Sequence, residues 1–173
     1  MNKIKVWGIG LGRTGTRSLC KAFEIMGFKT IHQPPFIDSF EGYDAAAEGA
    51  CMSNYRYLNL RYPESKFVLT TREINTWLDS CKKAIDQYPL ERMSPGDKYY
   101  NAMIRNRSHR YGTLLYNEEK MIENYNRHEE DVKKYFDGTD KLLVLNIIED
   151  SSWLPLCNFL ELEVPCENFP YIK

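Results

Sequence analysis

Apolar positions along the chain change their spacing in a regular order, and that order predicts an α/β fold. The segment 3–9 (KIKVWGI) mixes alternation with β-branched and aromatic residues, the pattern of a strand. Glycines at 8, 10, 12 and 15 break it. Residues 16–26 then carry Leu19, Phe23 and Met26 at helical spacing, and Gly27 stands where a helix ends. A short second strand over 28–32 stops at Gln33-Pro34-Pro35, and a further strand covers 66–71 (KFVLTT). That strand passes directly into a helix with Ile74, Trp77, Leu78, Cys81 and Ile85 on one face. After a loop over 89–96, two helices are predicted over 98–116 and 117–136. Residues 137–140 make a turn, and 142–148 (LLVLNII) is the most buried-looking strand. The order β-α-β…β-α…α-β-α implies one α/β domain over 1–173. It has a parallel sheet, helices on both faces and right-handed crossovers. In such sheets ligands bind beyond the carboxyl ends of the strands.

Length and composition narrow the classes. At 173 residues, 43% hydrophobic and 27% charged, the chain has enough apolar residues for a real core and only enough length for one domain. Lys plus Arg number 23 against 24 Asp plus Glu, which argues against a globally basic nucleic-acid binder and leaves room for a local basic patch. No apolar run of about 18 residues spans a membrane, and no signal-peptide pattern precedes the first glycines. Five widely spaced cysteines without a C-x-x-C read as reduced thiols, which places the expectation in the cytoplasm. Nothing in the sequence fixes an oligomeric state.

The strongest chemical signal is GIGLGRTGTRSL at 8–19, a strand, a glycine-rich turn and a helix start. Glycines let backbone wrap a ligand, and the N–H groups of the first helical turn face an anion. Thr14, Thr16 and Ser18 add hydroxyls. In residues 1–30 six cations (Lys3, Lys5, Arg13, Arg17, Lys21, Lys29) face one acid, Glu24. Gly10, Gly12 and Gly15 match the dinucleotide fingerprint, but the next strand ends in His32-Gln33-Pro34 and lacks the acid that holds a ribose. Gly10 and Gly15 also start a nucleoside-triphosphate loop. Thr16 then stands in place of its Lys and Arg17 in place of its magnesium-binding hydroxyl. No metal is expected. A second anion motif is TTREINTWLDS, with Arg72 just past a strand and Ser80 eight residues on, roughly 12 Å along a helix. A guanidinium lying along that helix could grip one phosphate together with the hydroxyl.

Taken together, GLGRTGTRSL and TTREINTWLDS resemble the two phosphate motifs of sulfotransferases that use 3′-phosphoadenosine-5′-phosphosulfate (PAPS). The resemblance extends through YPESKFVLTTR, NRHEEDVKKYF, KLLVLNIIED and WLPLCNFLELEVPCENFP to a short P-loop sulfotransferase-like family, over nearly the whole chain. It implies that backbone amides of Gly12, Arg13, Thr14, Gly15, Thr16, Arg17 and Ser18 hold the 5′-phosphosulfate. Arg13 would offset charge on the departing phosphate, and Arg72 and Ser80 would hold the 3′-phosphate. The implied product is 3′-phosphoadenosine-5′-phosphate (PAP), and the implied acceptor is a small alcohol or amine. The C-terminal Arg-Lys-Gly segment of larger members is missing, so adenine contacts are unassigned. A divergent P-loop kinase or NTPase and a nucleotide-binding module without chemistry remain as alternatives.

Two residues compete as catalytic base. His32 ends the second predicted strand, and histidine titrates near neutral pH. Glu48, in YDAAAEGAC, sits where related short members carry an acid. Asp38, Asp44, His109 and His128 are weaker candidates, and Glu149-Asp150 reads as a strand-end acid or helix cap. Segments 33–62 and 88–116, with Phe36, Tyr57, Met93 and Tyr99 among their residues, are expected to shape the acceptor site.

Overall fold

A computed structural model describes residues 4–92, 94–95 and 100–172. The chain packs as two compact units, residues 1–72 with 132–173 and residues 73–131. The predicted starts at Lys3 and Lys98 lie outside the described residues.

The first unit is built on a five-stranded parallel sheet: β1 (Val6–Gly8), β2 (Thr30–His32), β3 (Ala45–Ala47), β4 (Lys66–Thr70) and β5 (Leu142–Leu145). Their order across the sheet is β2-β3-β1-β4-β5, so the glycine-rich turn leaves the central strand. Alternation sorts each strand's side chains onto two faces. Val6, Ala45, Ala47 and Val68 pack with Leu19 and Phe23 of α1 (Thr16–Ile25) and with Leu156, Cys157 and Leu160 of the last helix (Leu154–Leu160). Trp7, Ile9, Ala46, Phe67 and Leu69 pack on the other face with Tyr55 and Leu58 of α2 (Ala50–Arg61), and with Val132 and Phe136. The sheet thus has helices on both faces, as the pattern predicts.

Two differences from the sequence reading matter. Ala45–Ala47 is a strand, fully buried between β2 and β1, although alanine favours helices. Its methyl groups pack beneath helices on both faces, Ala45 and Ala47 on the α1 side and Ala46 on the α2 side. Moreover, the apolar segment at 142–145 forms the sheet edge rather than its middle, and Val144 is 44% exposed. Its hydrophobicity serves Leu145, which is buried with Trp153 and Leu156.

The second unit contains α3 (Ile74–Gln87), α4 (Tyr100–Tyr111) and α5 (Glu118–Tyr135) up to Asp131. Trp77 packs against Tyr125 and Tyr111, at ring separations of 4.8 and 6.3 Å. Arg107 is buried there and donates to the carbonyls of Leu114, Ile85 and Tyr88, so a charge inside the unit is fully engaged by backbone. Among the described residues no helix is long and apolar enough to cross a membrane.

Cys20 on α1 belongs to the core, and burial, with the Glu24 charge second, pushes its thiol from 9.0 up to about 12. The unfolded chain therefore releases this proton at lower pH than the folded one. Stability from the buried thiol is complete below pH ~9 and falls as pH rises toward the folded value. We expect denaturation midpoints to drop above pH ~9 in the wild type, and to drop less steeply in Cys20→Ala.

Candidate functional site

The carboxyl ends of β2, β3, β1 and β4 deliver four segments to one place: residues 32–34, 48–49, 9–15 and 70–72. The turn after β1 passes so close to β4 that a Cβ on Gly10 would collide with the Thr70 side chain and backbone. Thr14 locks the turn from inside. Its hydroxyl is buried, donates to the Leu11 carbonyl at 2.6 Å, and lies 2.6 Å from the Thr70 hydroxyl. With the Thr14 proton used, the Thr70 hydroxyl is the donor in that pair. Gly15 caps α1 with φ 95°, a left-handed conformation natural to glycine. No side chain caps this helix and no acid stands in its first turn, so its leading N–H groups and dipole are directed at the site.

Side chains around the turn divide by what they touch. Arg13 and Arg17 are exposed. The Arg72 guanidinium donates to the Arg13 carbonyl at 3.2 Å, which brings the two predicted anion motifs into contact. The Ser18 hydroxyl is buried and accepts from the Ile172 N–H at 2.9 Å. Ser80 is half-buried on α3, in the second unit.

His32 and Glu48 meet. The His32 Nε2 lies 3.4 Å from the Glu48 Oε2 and 3.3 Å from the Thr16 Oγ. Glu48 is buried, 4% exposed, and its carboxylate accepts from the Thr16 hydroxyl at 2.5 Å and from the Gln33 Nε2 at 2.8 Å. The competing base candidates form one hydrogen-bonded group, joined by Gln33, which the sequence did not single out. Signals for Gln33 and Glu48 exist in the backbone. Of the four non-glycine residues with positive φ among the described residues, Arg13 (75°), Gln33 (57°) and Glu48 (65°) all lie here. Strain of this kind concentrates where surrounding structure overrides local preference.

The weaker candidates go elsewhere. Asp44 accepts from the Lys29 N–H, Asp38 is exposed in a 3₁₀ turn, and Glu149 and Asp150 are exposed beyond β5. His109 and His128 are on α4 and α5 in the second unit. Among the described residues no group of three or more His, Cys, Asp or Glu could hold a metal ion. Of the segments expected to shape an acceptor site, 33–62 lies in the first unit, with Phe36 60% exposed. Met93 and Tyr99 lie outside the described residues.

A glycine-rich turn opens on an uncapped helix at the centre of a parallel sheet, with the Arg72 guanidinium held against the Arg13 carbonyl beside it, in a protein of the α/β class. The sulfotransferase domain matches residues 5–39 and 33–173, and the chain belongs to that family. It is also similar to the Ava biosynthesis cluster protein M of Aspergillus versicolor, 27% identical over 212 aligned positions that cover 98% of this chain and 80% of that protein.

Gly10→Ala tests the turn's close approach. We expect destabilisation of about 1–3 kcal/mol, read as a fall of several degrees in melting temperature, because Thr70 must move and the Thr14 lock with it.

Proposed function

We propose that the protein moves a sulfuryl group from PAPS to a hydroxyl or amine of a small acceptor and releases PAP. The observation carrying this reading is the Arg72 guanidinium against the Arg13 carbonyl, because a doubly phosphorylated adenosine needs its two anion sites within one nucleotide's length. The residues suit such a donor. The N–H groups from Gly12 to Ser18 would hold the 5′-phosphosulfate, since the uncapped start of α1 offers donors and no competing acid. The Thr14 hydroxyl is turned inward, with its proton spent on the Leu11 carbonyl, so its backbone amide rather than its hydroxyl would do the binding. Arg72 would take the 3′-phosphate, which distinguishes PAPS from ATP-like nucleotides. Arg13 would face the charge that grows on the departing phosphate.

Bound there, the donor supplies an activated sulfuryl group. The protein's own part is to take the acceptor's proton as the new bond to sulfur forms, and the His32–Glu48 pair is the base available at the strand ends. Glu48 does not cancel the positive site, because its charge is spread over the hydroxyl of Thr16 and the amide of Gln33. The reading includes a reducing cytoplasmic setting, which the five free cysteines, four of them buried, support.

PAP should raise the melting temperature by several degrees, and Arg72→Ala should abolish that shift. Equal stabilisation by adenosine 5′-phosphate would overturn the 3′-site. His32→Ala should lower turnover by about 10²–10⁴-fold while the PAP shift persists, and an unchanged rate would remove His32 from the chemistry.

A further inference from the structure

We propose that Glu48 is a positioning residue that fixes His32 as its Nε2–H tautomer, so that Nδ1 is the catalytic base. The rate consequence rests on the transferase reading above, whereas the tautomer is a property of the free protein.

The argument is a count of protons. Glu48 is held on three sides: Thr16 donates to Oε2 at 2.5 Å, Gln33 donates to Oε1 at 2.8 Å, and its own N–H donates to the Gly8 carbonyl at 2.9 Å. An ionised carboxylate only accepts, and a threonine hydroxyl has a single proton. That proton is committed to Glu48. The Thr16 oxygen and Glu48 Oε2 therefore present only lone pairs to the His32 Nε2, at 3.3 and 3.4 Å. A bare nitrogen there would set three lone pairs against one another. Nε2 carries the ring's proton, and the neutral ring keeps its basic pair on Nδ1, at the edge turned away from Glu48.

His32 also has the access a base requires, since its side chain is 29% exposed and that of Glu48 only 5%. In the reaction the acceptor's O–H or N–H bond breaks, its proton goes to Nδ1, and its electron pair forms the bond to sulfur. The pair of the cleaved sulfur–oxygen bond leaves with PAP. The ring becomes an imidazolium whose Nε2–H already faces a carboxylate, so the new positive charge is stabilised where it forms. Had Glu48 been the protonated partner, it would donate to Thr16, Thr16 would donate to Nε2, and the ring proton would lie on Nδ1, leaving no base.

Long-range ¹H–¹⁵N correlation spectra of the ¹⁵N-histidine-labelled free protein at mildly alkaline pH read this directly. The His32 signals are assigned by their loss in His32→Gln. The Nε2–H tautomer is expected in the wild type, and Nδ1–H there overturns the proposal. In Glu48→Met the Thr16 hydroxyl is released to donate to Nε2, so the tautomer should switch to Nδ1–H. Turnover should fall at least ~10²-fold with the PAP melting shift retained. A signal that stays Nε2–H in Glu48→Met overturns the positioning role. Should that variant not fold, Thr16→Val decides instead: Nε2–H persists there if the carboxylate sets the tautomer, and a switch to Nδ1–H overturns it. A wild type with the Nε2–H form that shows no PAP shift and no sulfate transfer refutes the transferase reading and leaves the tautomer assignment standing.

Discussion

The bond from the Thr16 hydroxyl to the Glu48 carboxylate joins the start of α1 to the end of β3, and the site is organised around it. A buried carboxylate is costly unless donors surround it, and here a further donor comes from the segment that ends β2, where Gln33 donates to Glu48 and His32 lies beside it. Moving any of these segments would strand a charge in a closed space. The requirement to satisfy Glu48 therefore holds the edge of the sheet in register with the loop at its centre. It also accounts for left-handed backbone at Gln33 and Glu48, which local preference alone would reject.

Much of this was legible in the residues. The glycine-rich turn, the first helix and the strand at 66–70 follow from spacing and composition, because each is a local pattern. The strand at 45–47 was not legible. Three alanines carry no strand signal, and their role comes from pairing with the strands on either side and packing on both faces rather than from their own preference. Apolar character also misled at 142–145, since a strand's hydrophobicity records what covers it and not its rank in the sheet order.

The meeting of His32 and Glu48 was hidden for the same reason. They lie on different strands, and only the parallel register, with His32 opposite Ala47, puts Glu48 one residue beyond and within reach. Without β3 there is no register, so two residues that lie side by side read as separate candidates. Gln33 escaped notice because it read as the end of a strand before two prolines. By contrast, Arg72 and the turn could be paired in advance, since adjacent parallel strands carry their following loops to the same edge.

The Ile172 amide reaches back across 154 sequence positions to the Ser18 hydroxyl. The segment leading to it is also pinned where the Trp153 indole donates to the Glu167 carbonyl and meets Phe169 edge to face. The last stretch of chain thus works as a buckle on the first turn of α1. Slackening that buckle would loosen the start of α1, so the geometry of its leading amides depends partly on residues at the other end of the chain.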